Sequence, residues 1–316
     1  MDLKVSLPMS LLFRFIKNHN RNMIRRTFIP GSDWVYFKLY TGAKIADIII
    51  KNELGKYIFE LKQNDIIDKW FFIRYFDSEF HIRLRIHLKE NQSFNLVFNR
   101  FFEICNSLIE TGLVWNIQCD TYNRELERYG EHLIDEAESI FCADSECVLS
   151  ILTKLNNNDG YRWMIALKLI DELLSDFNLD IGEKQKLMET LSKSCKTQFG
   201  FNEYNSKQFN SKFRENKKSV EAVLNNTISE EDFISLYQPI EKRTEELIPI
   251  VRKIKGKLII EEDINRLLNS YLHMMLNRLF RSKNNIHEML LYDFIFRYYT
   301  SEIAKQKYHS DTVSPR

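Results

Sequence analysis

His81, Arg83, Arg85 and His87 occupy alternate positions of the run FHIRLRIHL, with Phe80, Ile82, Leu84, Ile86 and Leu88 filling the positions between and around them. Successive side chains of a strand point to opposite faces, so this spacing makes one face apolar and the other basic. Arg83 and Arg85 then stand about 7 Å apart, where two guanidiniums repel unless carboxylates or a bound anion lie between them. Anion binding is the chemistry the pair offers. A solvated strand face or two buried ion pairs would satisfy the same spacing, and His81 and His87 would either tune such a site or cover it. In TYNRELERYG, Glu125 and Arg128 fall one helical turn apart, with Asp120 or Thr121 as N-cap and Gly130 as C-cap. They can bond a common ligand, or simply each other as an ordinary helical ion pair. His273 shares one side of a helix with Asn269, Ser270 and Asn277, opposite an apolar stripe of Ile264, Leu267, Leu268, Tyr271, Leu272, Met275 and Leu279. It is either an exposed surface histidine or a cleft-facing acid or base. No His or Cys lies i, i+4 from another beside a carboxylate, and neither a phosphate loop nor an elbow serine is present, so no metal site is expected.

The elements that must position these groups are legible in the hydropathy pattern. DWVYFKLYTGAKIADIII (33–50) predicts a strand, a turn at Gly42 and a helix. WFFIRYFDSEFHIRLRIHL (70–88) predicts two strands joined at Asp77, Ser78 and Glu79 as a hairpin. Apolar spacing turns helical over 93–113, and VWNIQC (114–119) predicts a further strand. Beyond Asp120 the pattern predicts helices over 121–129, 131–155, 160–176, 182–194, 229–255 and 261–280, interrupted by a polar loop over 196–218. The fold class expected is α+β: a small mixed or antiparallel sheet in the N-terminal part with a mainly helical C-terminal part, helix-rich overall. The site is expected where the sheet face meets the 121–129 and 261–280 helices. Residues 1–26, with apolar Leu11, Leu12, Phe13 and Phe15, read as an N-terminal extension, 27–305 as a single domain and 306–316 as a flexible tail.

Composition narrows the setting. Lys+Arg number 45 against 44 Asp+Glu, a net charge of +1, which argues against bulk electrostatic capture of nucleic acid. Only 9 Gly and 5 Pro are too few for turn-rich sandwiches or barrels, so long helices are expected. No stretch has the length of a membrane span, and no export signal is read at the N-terminus. Five cysteines without CxxC spacing suggest neither a disulfide framework nor a zinc knuckle, and a reducing cytoplasmic compartment is expected.

The order GSDWVYFKLY, WFFIRYFDSEFHIRLR, TYNRELERYG followed by DEAESIFCADS, then LHMMLNRLF, resembles the C-terminal glutamate-elimination domain of class I lantibiotic dehydratases, which also occurs as a free-standing protein in thiopeptide-type bacteriocin biosynthesis. The resemblance covers roughly residues 27–300. It places the family's arginine pair on Arg83 and Arg85, its Glu-x-x-Arg on Glu125 and Arg128, and its C-terminal histidine on His273, while the family's proline after the hairpin aspartate is Ser78 here. It implies a lyase that removes glutamate from glutamylated Ser or Thr of a ribosomal precursor peptide, leaving dehydroalanine or dehydrobutyrine. Arg83, Arg85 and Arg128, with His81, would bind the substrate, and His273 with Glu125 would serve proton transfer, with no cofactor. The larger glutamylation domain is not among these residues, so the implied partners are the glutamylated precursor peptide and a separate glutamylation protein that uses glutamyl-tRNA. Direct contact with nucleic acid is not expected, and homodimerisation is left open. Two alternatives stand beside this one: an aza-[4+2] cyclase of the same domain family, which joins two dehydroalanines, and a non-catalytic module that recruits precursor peptide or partner. A sheet-based RNA-binding module is disfavoured by the neutral charge and the missing aromatic platform.

Overall fold

The computed structural model describes residues 24–155, 158–258 and 261–313; Leu11, Leu12, Phe13 and Phe15 lie outside them. The first elements among the described residues are a short strand, β1 (Thr27–Phe28), and then β2 (Trp34–Tyr40). Gly42 starts α1 (Ala43–Ile48), which passes through a π-helical turn, Ile49–Leu54, into α2 (Gly55–Gln63). β3 (Ile67–Phe76) and β4 (Phe80–Leu88) form the expected hairpin, its connection held by Asp77 Oδ1, which accepts from the Ser78 and Glu79 N–H groups. α3 (Phe94–Glu110) and β5 (Asn116–Cys119) follow as expected. The sheet is antiparallel throughout, in the order β3-β4-β2-β5.

Its two faces differ as the alternation requires. Ile82, Leu84 and Ile86 pair with Leu39, Phe37 and Val35 on β2 and with Arg74, Phe72 and Trp70 on β3. This face packs on α2 and α3, where Phe37 stacks on Phe101 at 3.8 Å and the Tyr57 hydroxyl donates to the Val97 carbonyl. The opposite face is not solvated. His81 and Arg85 are buried beneath Tyr40, Tyr75 and Tyr122.

Tyr122 lies in β6 (Tyr122–Asn123), which pairs with β1. Here the expected helix over 121–129 is corrected. Only α4 (Leu126–Tyr129) is helical, because Tyr122 is drawn into a strand and its ring is buried; Asp120 accepts from Thr121 N–H rather than capping a helix, and Glu125 precedes the first turn. Gly130 ends α4 at φ +82°, a backbone that glycine adopts without a side-chain clash.

The helical part comprises α5 (Ile134–Lys154), α6 (Tyr161–Asp176), α7 (Ile181–Gln198), α8 (Glu203–Leu224), α9 (Glu231–Ile234), α10 (Tyr237–Lys257), α11 (Glu261–Leu279) and α12 (Asn284–Val313). The loop expected over 196–218 is confined to residues 199–202; the rest is the end of α7 and most of α8. Its polar composition hides a sparse apolar stripe, of which Phe209, Val220 and Val223 are buried, and tertiary packing outweighs the weak local propensity. α12 continues to Val313, well into the stretch read as a tail. Among the described residues no helix is long and apolar enough to cross a membrane.

α5 and α11 cover the open edge of β3. Asn277 on α11 accepts from the Arg74 N–H at 2.9 Å and donates to the Arg74 carbonyl at 2.8 Å, as a neighbouring strand would, while Ser145 on α5 accepts from the Phe72 N–H. This side-chain pairing fixes α11 against the sheet, and with it His273.

Candidate active site

A cleft of about 690 Å³ opens where α11 leaves the edge of β3. It is lined by Arg83 from β4, Glu125 and Arg128 at α4, and His273 from α11, so four of the five residues expected to do the chemistry meet in one place. It straddles the β3 edge rather than lying on the sheet face alone, since Ile73 and Tyr75 line it from one face and Arg74 and Phe76 from the other.

Each side chain is held by a different device. Arg83 lies flat over the Tyr75 ring, 3.4 Å from its centroid, and its Nε donates to His81 Nε2 at 3.0 Å. His81 can accept that bond only with its proton on Nδ1, which donates to the Glu79 carbonyl at 3.0 Å. Burial pushes the His81 pKa below its ordinary value, aided by the adjacent Arg83 charge, so the neutral tautomer persists. His81 therefore orients Arg83 from behind and does not line the cleft. His87, by contrast, bonds Asp68 and packs on Trp34, which makes it structural.

Arg85 is 9% exposed and sits among the Tyr36, Tyr122 and Phe71 rings at 4.5, 4.8 and 5.3 Å. It does not line the cleft, so the arginine pair is split into one partly buried guanidinium at the cleft and one buried away from it. Its Nε has no hydrogen-bond partner, and no carboxylate pairs with it among the described residues. Burying an unneutralised cation is costly, and the aromatic faces offset only part of that cost.

Arg128 donates to Ser270 Oγ at 3.1 Å and approaches Glu125 at 3.5 Å. Glu125 is exposed and Arg128 partly so, which keeps both heads accessible from the cleft and makes their mutual contribution to stability small. What places them is the preceding residue. Arg124 forks onto buried Glu138 of α5 at 2.7 and 2.6 Å, and the Tyr122 hydroxyl donates to the same carboxylate at 2.8 Å.

His273 is half-buried, with Nδ1 2.8 Å from Glu288 Oε1 of α12. The contact occupies one ring nitrogen and leaves Nε2 as the other proton-transfer position. A carboxylate so placed orients the ring and stabilises it when protonated. Glu288 was not legible beforehand, because it comes from the next helix and no local spacing joins it to His273.

The sequence also did not reveal the remaining cations. Arg74, Arg162 and Arg281 converge on Asp47, and Arg162 and Arg281 also hold Asp159. Burial works against the Asp47 charge, yet these guanidiniums hold its carboxyl below the usual range. Arg74 and Arg281 line the cleft with Lys283, and Tyr75, Phe76, Phe80, Phe199 and Ile286 form an apolar rim. Phe199 comes from the turn between α7 and α8, within the stretch expected as a loop. Among the described residues no three His, Cys, Asp or Glu side chains cluster as a metal site would require.

The architecture and cleft together define a helix-rich α+β domain with a cation-lined cleft at the edge of an antiparallel sheet. The chain belongs to the lantibiotic biosynthesis dehydratase C-terminal family, which it matches over residues 34–299. It is 25% identical over 279 residues to the subtilin biosynthesis protein SpaB of Bacillus subtilis, an alignment covering 84% of this chain and 25% of SpaB. Its fold is similar to that of the tRNA-dependent lantibiotic dehydratase MibB from Microbispora sp. 107891, with a TM-score of 0.69 and 17% identity over 88% of this chain and 29% of MibB. It is also similar to TbtD, a pyridine synthase from thiomuracin biosynthesis, with a TM-score of 0.61 and 15% identity over 85% of this chain and 99% of TbtD. The chain thus spans about a quarter of the length of the curated relative SpaB.

Proposed function

We propose that this chain eliminates glutamate from glutamylated Ser or Thr of a ribosomally made precursor peptide, the glutamyl group having been installed by a glutamylation activity that uses glutamyl-tRNA. The observation that carries this reading is the convergence of Arg83, Glu125, Arg128 and His273 in one cleft with a surplus of cations. His273 removes the Cα proton of the modified residue; the electron pair forms the Cα–Cβ double bond, the Cβ–O bond breaks, and glutamate departs with its carboxylate. Glu288 stabilises the resulting imidazolium. Enolate and leaving carboxylate both carry negative charge, which Arg83 and Arg128 meet directly and Arg85 supports from its buried position. Glu125 orients Arg128 and offers a carboxylate to the free amino group of the glutamyl unit.

A second reading is favoured by one observation: the similarity to the pyridine synthase covers 99% of that protein. A cyclase acting on two dehydroalanines has no glutamate to hold, so the arginine-rich cleft weighs toward elimination. Mass spectrometry of a Ser- or Thr-glutamylated peptide incubated with the protein distinguishes them. Free glutamate and dehydrated peptide from wild type, but not from Arg83→Ala or His273→Ala, supports elimination. An unchanged glutamylated cognate peptide, together with cyclisation of a bis-dehydroalanine peptide, would replace it with the cyclase.

A further inference from the structure

We propose that Arg281 and Lys283 form a second anion subsite in the cleft, which holds a carboxylate of the peptide substrate about three to four residues from the glutamylated Ser or Thr. The inference rests on the elimination reading and adds a specificity determinant to it.

The argument starts from order along α11. Arg128 is bonded to Ser270, His273 follows one turn later, then Asn277, and Arg281 comes just past the last turn. At 1.5 Å rise per residue, Arg281 originates about 10 Å or more beyond His273. Its guanidinium cannot swing back, because Nε is bonded to Asp47 and Nη1 to Asp159, at 2.5 and 2.6 Å. A glutamyl group extended from ester carbonyl to side-chain carboxylate spans only about 5 Å over its four C–C bonds. One glutamate held beside Arg128 and His273 therefore does not reach Arg281. An extended peptide advances about 3.3 Å per residue, so the residue that does reach it lies three or four positions away.

The charge there is unbalanced. Arg74, Arg162 and Arg281 share two carboxylates, Asp47 and Asp159, which leaves one positive charge in excess. Arg74 is 2% exposed, lines the cleft, and has an Nη1 with no hydrogen-bond partner. Lys283 adds a further cation without an ion pair of its own among the described residues, and holds a left-handed backbone at φ +55° directly before α12. For a non-glycine residue this conformation is uncommon and concentrates at functional positions. The positive pole of the 30-residue α12 begins at the next residue. A carboxylate at this point would neutralise the excess charge. Glu125 is the one carboxylate among the described residues that line the cleft, and it belongs to the Arg128 end.

The test uses synthetic peptides carrying one glutamyl-Ser with Asp or Asn at the third or fourth position on either side, each with a free or an amidated C-terminus. Glutamate release is followed with the full chain. An Asp peptide is expected to be processed with about fivefold to tenfold higher kcat/KM than its Asn counterpart, through KM. Lys283→Glu should invert that preference toward a peptide with Lys in place of Asp, and Lys283 is exposed, so its replacement leaves the buried Asp47 cluster intact. A response to the side-chain pair identifies an acidic residue as the ligand, and a response to amidation alone identifies the peptide terminus; either supports the subsite. Equal turnover of all peptides by wild type would overturn the subsite and leave elimination standing. Absence of glutamate release from every peptide would remove both.

Discussion

At the residue scale, the four cleft residues differ in how far they can be replaced. Arg83 is committed to a flat stack on Tyr75 and a bond from Nε to His81, geometry that a lysine ammonium cannot reproduce. Arg83→Lys should therefore lower the rate of glutamate release by on the order of 100-fold while leaving the thermal midpoint near that of wild type, as parallel kinetics and calorimetry would show. The His81 contact also sets a pH dependence. Because burial depresses its folded pKa below 6.5, the unfolded chain binds more protons than the folded one between the two values. Stability is then complete above about pH 6.5 and falls as the solution is acidified through that window. Denaturant titrations over this range should show a loss that His81→Gln lessens, since Gln supplies an acceptor to Arg83 without taking up a proton.

At the element scale, the site depends on how α11 is attached to an edge strand. Asn277 supplies both hydrogen bonds that a neighbouring strand would make to Arg74. Asn277→Ala strips the partners from a buried backbone N–H and C=O, so unfolding in urea should show a loss of about 1–3 kcal/mol. Because His273 lies one turn away on the same helix, activity should fall further than stability alone explains. Between β6 and α4 the fork of Arg124 on Glu138 plays the corresponding part for Glu125 and Arg128.

At the scale of the whole molecule, buried charge ties the helices together. Arg243 on α10 is fully enclosed and bonds Asp144 of α5 at 2.7 Å and Asp176 of α6 at 3.4 Å. Arg278 of α11 faces the same Asp144 at 3.7 Å. Removing one member leaves the others charged in an apolar interior, so Arg243→Met should destabilise the fold by about 3–5 kcal/mol, measured by equilibrium unfolding. The double replacement Arg243→Met, Asp144→Leu should not recover that loss, because it leaves buried Arg278 without its carboxylate and Asp176 without its guanidinium.

Alternation in FHIRLRIHL and the polar Asp77–Ser78–Glu79 link determined the hairpin and the apolar face of β4, and the 3.6-residue stripe of α11 determined which side of that helix is buried. Such patterns are local, so they can be read without knowing neighbours. The same locality explains the errors. Residues 121–125 carried helical spacing, yet burial of Tyr122 and the bond from Arg124 to Glu138, both dependent on α5, drew Tyr122 and Asn123 into a strand and kept Arg124 and Glu125 out of the helix. Within the loop expected over 196–218, residues 203–218 are helical; they looked like loop because polar side chains outnumber the few that pack. Motif order brought Arg83, Glu125, Arg128 and His273 forward as candidates, but only the tertiary structure decided that Arg83 faces the cleft while Arg85 is walled in by three aromatic rings, that Glu288 backs His273, and that Arg281 and Lys283 extend the cation-lined surface. Those assignments join residues far apart in the chain, and their physical cause is the packing of helices against one strand edge.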